Sequence, residues 1–250
     1  MHLPADDPTT LALWYHLNSR VWSNTDAYLN ASPDVQHKPV WDPDPVSLPS
    51  ASSGKTALVQ IIESRQSCRR FAQQRMPLEI AAKILRFGYG AISLRYETGS
   101  WARWGRAVPS AGGLYPLEIY VAARQVEQVT DGVYHYNPVE QQLERMGECN
   151  PAEVTNAVLY PEFLEGANML LMISAVFYRT MKKYGPRGYR YALLEAGHCA
   201  ENICLLAAES GLGSLCLGGF EDRAMNRALG LDERHEAVVY CLGLGFPATC

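Results

Sequence analysis

Residues 109–116 read Pro109-Ser110-Ala111-Gly112-Gly113-Leu114-Tyr115-Pro116 and run directly into an apolar, partly β-branched segment at 118–123. That segment predicts a strand. Two adjacent glycines let the backbone approach a flat ligand closely, and the flanking prolines fix the shape of the loop. This middle motif therefore predicts a ligand-binding loop before a strand, although an ordinary connecting loop can have the same composition.

The first motif, residues 65–71, reads Arg65-Gln66-Ser67-Cys68-Arg69-Arg70-Phe71. Its alternate positions Arg65, Ser67 and Arg69 share one face of an extended segment. Guanidinium groups bind phosphate in bidentate fashion, and a hydroxyl adds a further donor. The alternative is a solvated basic patch, because short basic runs are common.

The third motif, residues 211–220, reads Gly211-Leu212-Gly213-Ser214-Leu215-Cys216-Leu217-Gly218-Gly219-Phe220. It superficially resembles a dinucleotide-binding loop. However, it follows the strongest helical pattern of the chain, at 189–210, and lacks the strand-turn-helix order of that fingerprint. We therefore reject a Rossmann fold and expect the backbone at Gly218 and Gly219 to face a cofactor ring instead.

The rest of the sequence predicts one domain at 53–250, preceded by an N-terminal arm at 1–52 that is broken up by Pro39, Pro43, Pro45 and Pro49. Within the arm, residues 9–22 predict an amphipathic helix through Leu11, Trp14, Tyr15 and Leu17. Residues 92–106 have no stable period and predict a mobile loop able to cover a substrate. The remaining predictions are helices at 56–64, 77–88 and 221–229, a short helix opened by a capping box at 150–153, a hairpin at 132–145, and strands at 169–178 and 237–242.

Charge and cysteine usage narrow the class of protein. The net charge of -4 gives no electrostatic footprint for nucleic acid or an anionic membrane, so we expect neither as a partner. The longest apolar stretch, 169–178, is half the length of a membrane span. Seven cysteines without a Cys-x-x-Cys pair predict reduced thiols in a cytoplasmic protein and no metal site.

The three motifs, in this order, resemble those of the nitroreductase superfamily of flavoproteins. The Gly-Gly-Leu-Tyr-Pro variant at 112–116 is similar to the SagB-type branch, as are residues 182–191 and the following Leu-Leu-Glu-Ala-Gly-His at 193–198. The resemblance covers about residues 60–247. It implies an α+β fold with a central, mainly antiparallel sheet flanked by helices, and a homodimer with two FMN sites at its interface.

The resemblance also implies which residues bind FMN. The first motif would hold the phosphate and ribityl side, the middle motif would come from the other subunit, and the third motif would place backbone beside the flavin N5. Reduced N5 gains electron density, which a backbone amide stabilises. The implied residues are Arg65, Ser67 and Arg69; Pro109, Ser110, Ala111 and Gly112; and Leu217, Gly218 and Gly219.

Two departures from the family pattern matter. Nitro-reducing members carry an asparagine and a glutamine where this chain has Gly113 and Tyr115, so their specificity is not carried over. They also place basic residues after the last strand, whereas residues 245–250 contain none. Binding of the FMN phosphate is then weaker, or Arg187 or Arg190 takes the place of the missing basic residues.

SagB-type enzymes aromatise azoline rings, and this chemistry needs a base opposite the flavin to remove a ring proton. We assign that role to Lys183 and Tyr184, which precede the long helix where the family has its base. The alternative is a solvated basic turn. Reoxidation of the reduced flavin is assigned to oxygen.

Other functions remain open. An NAD(P)H-dependent nitro- or quinone-type reductase would use the same fold, and a non-catalytic flavin- or peptide-binding scaffold subunit belongs to another class. The substrate can be a ribosomal peptide, a carrier-bound thioester or a small molecule, because fold and flavin serve many reactions. A cyclodehydratase or synthetase is the expected protein partner.

Overall fold

The computed structural model describes residues 8–20, 56–98, 101–147 and 149–248. Its helices are α1 (Pro8–Asn18), α2 (Ala57–Ser64), α3 (Leu78–Tyr89), α4 (Pro151–Asn156), α5 (Tyr178–Tyr184), α6 (Arg187–Glu209) and α7 (Asp222–Ala228). Its strands are β1 (Ala91–Thr98), β2 (Trp101–Arg106), β3 (Leu117–Ala123), β4 (Gly132–Asn137), β5 (Gln142–Arg145), β6 (Met169–Val176), β7 (Gly213–Leu217) and β8 (Glu236–Gly245).

The centre of the molecule is a six-stranded sheet with the order β5-β4-β3-β6-β8-β7. Each neighbouring pair in it is antiparallel. The prediction of an α+β fold with a mainly antiparallel central sheet is therefore confirmed. Strand β6 is buried on both of its faces along nearly its whole length, which explains its uninterrupted apolar sequence.

Helices cover both faces of the sheet. Leu171 of β6 belongs to a buried cluster with Ile84 of α3 and Ile203 of α6. The next residue, Met172, belongs to the cluster on the other face, with Met225 of α7. Alternate side chains of one strand thus enter two different cores, because successive Cβ atoms point to opposite sides of a sheet.

The long helix α6 confirms the strongest helical prediction. Its buried face consists largely of small residues, including Ala192, Ala196 and Ala200. Small side chains permit close helix contact, and α3 supplies the matching glycine. A Cβ on Gly88 would lie 2.7 Å from Cγ1 of Ile203, so no larger residue fits there without displacement.

The structure corrects the prediction of a mobile loop at 92–106. Strands β1 and β2 form an antiparallel two-stranded sheet there, in which Ile92 and Leu94 are exposed. The sequence did contain the signal, because apolar Ile92 and Leu94 alternate with Ser93 and Arg95 at the strand period of two. The two tryptophans and glycine that follow obscured it.

The structure also corrects the buried face of the N-terminal helix. Helix α1 overlaps the predicted segment at 9–22, but Trp14 and Tyr15 are exposed, whereas Ala12 and His16 are buried. His16 Nδ1 lies 3.1 Å from the Tyr189 hydroxyl of α6, and burial lowers the pKa of His16 to about 4. A neutral imidazole therefore joins α1 to the body. The rest of the predicted arm, residues 1–7 and 21–52, lies outside the described residues.

Local signals explain the other element boundaries. Thr56 caps α2 by accepting a hydrogen bond from Val59 N, and Asn150 caps α4 by accepting one from Ala152 N. The predicted hairpin is confirmed by the antiparallel pair β4 and β5. In the described part of the chain, no helix is both long and apolar enough to span a membrane.

Candidate active site

The first and third motifs, which are far apart in sequence, lie side by side. Ser67 pairs with Ser214 as a parallel bridge, and Cys68 N donates a 2.9 Å hydrogen bond to the carbonyl oxygen of Ser214. A Cβ on Gly213 would lie 2.5 Å from the Cβ of Cys68. Glycine is thus required at the start of β7 because the first motif packs directly against it.

The segment after β8 holds the other side of the first motif. Ala72 N donates to the carbonyl oxygen of Phe246, and Ala248 N donates to that of Arg70, over 2.8 and 3.0 Å. The first motif is therefore fixed between β7 and the C-terminal segment by backbone hydrogen bonds. Phe71 is buried in the core, whereas Arg65, Ser67 and Arg69 face a cavity.

A cavity of about 540 Å³ opens at this junction. Its volume is within the range of ordinary small-molecule sites. Among the described residues that line it, several carry cationic or hydroxyl groups and none is acidic, a donor set that suits phosphate. The lining residues are Ser64, Arg65, Gln66, Ser67, Cys68, Arg69, Arg70, Ala208, Gly211, Leu212, Gly213, Ser214, Pro247 and Ala248.

Two other predicted phosphate ligands lie elsewhere in the chain. Arg187 and Arg190 are exposed in the first turn of α6. Neither is among the described residues that line the cavity of their own chain. Their proposed role therefore requires a site contributed by another subunit.

Strand β7 leads from the cavity to the residues predicted to face the flavin ring. Ser214 lines the cavity, and Leu217 ends the strand three residues later, about 10 Å away at the usual rise per residue. Gly218 is exposed, and the carbonyl oxygen of Gly219 accepts a 3.0 Å hydrogen bond from Leu159 N. Strand β7 thus connects the arginine-lined cavity with the exposed backbone of Gly218.

The middle motif forms a short 3-10 turn, Ala111–Gly113, in which Gly112 has a φ of 63°. Ser110 Oγ accepts a 2.9 Å hydrogen bond from Tyr115 N, and Tyr115 itself has a φ of 46°. A non-glycine residue in the left-handed region is strained unless its surroundings hold it. The loop therefore has a fixed, strained shape.

Lys183 and Tyr184, the predicted proton-transfer residues, lie over this loop. They end helix α5, which the sequence did not predict. A Cβ built on Gly112 would be 2.7 Å from Tyr184 Oη and 2.9 Å from Lys183 Nζ. Both polar groups thus converge on the same point of the middle motif, whereas Lys182 Nζ lies 5.8 Å from the ring centroid of Tyr178.

Arg179 anchors α5 to the middle motif. Its guanidinium donates to the carbonyl oxygen of Tyr115 over 3.2 Å and forms a 2.5 Å ion pair with Glu118. Burial acts to raise the pKa of Glu118, but a hydrogen bond from His135 and the charge of Arg179 hold that pKa below its usual value. The ionised Glu118 therefore helps to position the helix that carries Lys183.

A buried acid supports the loop from behind. Glu195 of α6 accepts a 2.7 Å hydrogen bond from the Tyr89 hydroxyl, which itself accepts one from Leu117 N. Burial raises the pKa of Glu195, against the opposing effects of the Ser110 and Tyr89 hydroxyls and of Arg106. Glu195 was not predicted as part of the site, although a glutamate between Ala192 and Cys199 on an apolar helix face indicates a buried acid.

The chain thus combines an antiparallel α+β sheet covered by helices with an arginine-lined cavity at the end of one strand. The chain belongs to the nitroreductase family, whose family model matches residues 62–246. The predicted resemblance is confirmed, and the chain is a nitroreductase-family oxidoreductase.

Two relatives illustrate the range of that family. The chain is 36% identical over 177 residues to MJ1384, a Methanocaldococcus jannaschii protein named as a nitroreductase, across 70% of this chain and 85% of the relative. It is 33% identical over 135 residues to the microcin B17-processing protein McbC of Escherichia coli, across 52% of this chain. That match spans 50% of McbC, so the chain corresponds to half of this relative's length.

Solved structures show the same fold. A chain of the E. coli microcin synthetase McbBCD complex with truncated pro-MccB17 bound is similar at a TM-score of 0.75 and 22% identity, over 97% of this chain and 94% of that chain. A Desulfovibrio desulfuricans nitroreductase in complex with FMN gives 0.55 and 18%, over 78% and 88%. At these identities the likeness supports the fold alone.

Proposed function

We propose that this chain is an FMN-dependent dehydrogenase that aromatises an azoline ring in a peptide or a carrier-bound intermediate. The observation that carries the proposal is the convergence of Lys183 Nζ and Tyr184 Oη over Gly112. Ring dehydrogenation requires a base that takes the ring proton, and these two side chains place candidate proton acceptors side by side over the middle motif. The name of McbC, a microcin-processing protein, adds support.

The residues present fit FMN. Arg65, Ser67 and Arg69 offer guanidinium and hydroxyl donors to a phosphate in a cavity free of acidic lining residues among those described. The edge formed by β7 then runs to Leu217, Gly218 and Gly219, whose backbone would lie beside the ring. The solved FMN complex within the same fold agrees with this choice of cofactor.

The chain itself supplies proton transfer and orientation. When bound, FMN would supply the two-electron acceptor that takes a hydride at N5. Lys183 or Tyr184 accepts the proton from the neighbouring ring carbon, and the other group holds the ring nitrogen or the proton in place by a hydrogen bond. Arg179 and the Ser110 network keep both groups at a fixed distance from the loop.

The middle motif belongs, in this proposal, to the flavin site of a second subunit. Pro109, Ser110, Ala111 and Gly112 are not among the described residues that line the phosphate cavity of their own chain. Two copies related by a two-fold axis would exchange these loops, so that each site takes its base from the partner subunit. Arg187 and Arg190 would also reach the partner's phosphate in this arrangement.

We expect an obligate homodimer in solution. An interface that completes two cofactor sites usually buries more than roughly 2,000 Å² in total. Light scattering of the flavin-loaded protein should give twice the mass of the chain. A monomer that keeps one FMN per chain would contradict the exchange of loops.

The Gly112→Ala variant should separate catalysis from folding. Alanine at a φ of 63° costs about 1–2 kcal/mol, and its methyl group displaces the ends of Lys183 and Tyr184 rather than any backbone. A displacement of about 1 Å at reacting groups reduces turnover by roughly 10²-fold. We therefore expect a folded, yellow protein with greatly reduced kcat.

Gly230→Ala is the matched control for that variant. Gly230 also has a positive φ, 69°, but a Cβ there meets nothing within 4 Å. It should show the same loss of stability in thermal unfolding with normal turnover. Equal losses of turnover in the two variants would indicate that backbone strain, and not the position of Lys183 and Tyr184, controls the rate.

The direct test is aerobic incubation of the purified protein with an azoline-containing peptide, followed by mass spectrometry. Loss of two hydrogens from the ring, with hydrogen peroxide as the second product, is the expected result. If NAD(P)H instead bleaches the flavin rapidly and the azoline is unchanged, the chain is a reductase. A flavin that no substrate reduces would indicate a scaffold subunit.

We also propose that the protein acts in the cytoplasm, where thiols stay reduced. A cyclodehydratase would be the partner that supplies the azoline.

A further inference from the structure

Two cysteine thiols that have no role in the proposed chemistry face each other between α6 and β7. The sulfur atoms of Cys204 and Cys216 are 3.5 Å apart. Cys204 is a buried residue of α6, whereas Cys216 is an exposed residue of β7. Such a pair combines an accessible thiol with a protected partner, the arrangement that redox-active cysteines use.

We propose that Cys204 and Cys216 form a reversible redox couple, in which hydrogen peroxide oxidises Cys216 and Cys204 then closes a disulfide. In the first step the Cys216 thiolate attacks one peroxide oxygen, the O–O bond breaks, and Cys216 becomes a sulfenic acid as hydroxide leaves and takes up a proton. In the second step the Cys204 sulfur displaces the sulfenic oxygen as water. Two thiols and one peroxide thus give one disulfide and two waters.

The electrostatic surroundings assign these two roles. The hydrogen bond from Cys204 is the main cause that lowers the pKa of Cys216 to about 6, with further help from Tyr240 and Arg65, against burial and Glu201. The same hydrogen bond and burial raise the pKa of Cys204. The exposed sulfur is therefore the more readily ionised and more nucleophilic of the two, while the buried one holds its proton more firmly.

The geometry permits closure by a small movement. A disulfide requires sulfur atoms about 2.05 Å apart, so the two side chains must approach by about 1.5 Å. Cys216 directly precedes Leu217 and Gly218, and Arg65 beside it also lines the phosphate cavity. Closure would therefore fix β7 against α6 at the edge of the candidate flavin site. The proposal does not depend on azoline oxidation, because added peroxide suffices to test it.

The purified 250-residue chain is treated with hydrogen peroxide, and the peroxide is then removed with catalase. The remaining thiols are alkylated, and the peptides are mapped by mass spectrometry. We expect loss of two alkylatable thiols per chain, a peptide pair joined through Cys204 and Cys216, and recovery of both thiols with dithiothreitol. In Cys204→Ser, dimedone should trap a sulfenic acid at Cys216. In Cys216→Ser, Cys204 should stay alkylatable under denaturing conditions after the same treatment.

Cys68→Ser is the matched control, because Cys68 is another half-buried thiol, in the segment that packs against the start of β7. It should form the Cys204–Cys216 disulfide as the unmodified chain does. The proposal is overturned if peroxide leaves Cys216 reduced, if Cys216 is oxidised but joins Cys68 instead, or if Cys204→Ser gives no trapped sulfenic acid. Circular dichroism of each variant verifies that the fold is retained, and flavin content is recorded separately.

Discussion

The Lys183→Ala and Tyr184→Phe variants should lose azoline dehydrogenation by about 10²- to 10⁴-fold, the usual cost of removing a general base, while they remain yellow and dimeric. The reason is geometric. Lys183 Nζ and Tyr184 Oη meet at the loop that we propose lies against the flavin. Neither residue is among the described residues that line the cavity proposed for the phosphate. Turnover should be measured as kcat with saturating azoline peptide, beside flavin absorbance and light scattering.

Lys182→Ala is the control for this first prediction. Lys182 carries the same charge one residue earlier, but its ammonium lies near the ring of Tyr178 and not near Gly112. A surface substitution of this kind is expected to have little effect. If Lys182→Ala were as damaging as Lys183→Ala, the role of the helix would be general electrostatics. If Lys183→Ala and Tyr184→Phe both turned over normally, azoline dehydrogenation by these residues would be wrong.

The central part of the fold was predictable because its signals are local. An uninterrupted apolar run predicted β6, which is buried on both faces, and apolar residues at helical spacing predicted α6. The hairpin of β1 and β2 was missed although Ile92 and Leu94 follow the strand period of two, because residues 101–106, which form β2, do not alternate between apolar and polar. In the described part of the chain these two strands form a separate two-stranded sheet, and Ile92 and Leu94 are exposed.

Helix α5 was missed for a different reason. It has only seven residues, too few for a helical period to show, and two of them are adjacent lysines. Isolated helices of this length are also unstable in water. Contacts made at a distance in sequence hold it, above all the ion pair of Arg179 with Glu118. The residue types of the candidate base could therefore be predicted from the resemblance, but the helix that carries them could not.

Parts of the site that depend on long-range pairing were also beyond sequence reasoning. The first motif was recognised, but nothing local indicated that Ser67 pairs with Ser214. Tyr89 and Glu195, which support the middle motif from behind, are 106 residues apart. Composition identifies the residues able to bind phosphate or a proton. Only the folded chain shows which of them lie together, with the first motif beside β7 and Lys183 and Tyr184 beside Gly112.

The Arg65→Ala, Arg69→Ala double variant should be largely colourless as purified. Hydrogen bonds to a charged group contribute about 1.5–3 kcal/mol each, so the loss of two guanidinium groups should weaken FMN binding by about 3 kcal/mol or more, which is roughly 10²-fold. Arg69 is exposed, and its contribution is therefore at the lower end. No basic residue occurs among 245–250 to compensate. Flavin released from the unmodified protein should be FMN and not FAD, because the chain has no adenine-binding fingerprint.

The control for this prediction removes the same charge elsewhere. Arg75 and Arg86 are exposed and are not among the described residues that line the cavity, so the Arg75→Ala, Arg86→Ala double variant should keep full FMN occupancy. Occupancy is measured from the flavin-to-protein absorbance ratio, and affinity by titrating FMN into the apoprotein. If Arg65→Ala, Arg69→Ala retained stoichiometric FMN, the phosphate would bind elsewhere, and Arg187 and Arg190 of a partner subunit would be the next candidates. If both double variants lost FMN equally, the effect would come from net charge, and the assignment of the first motif as the phosphate site would fail.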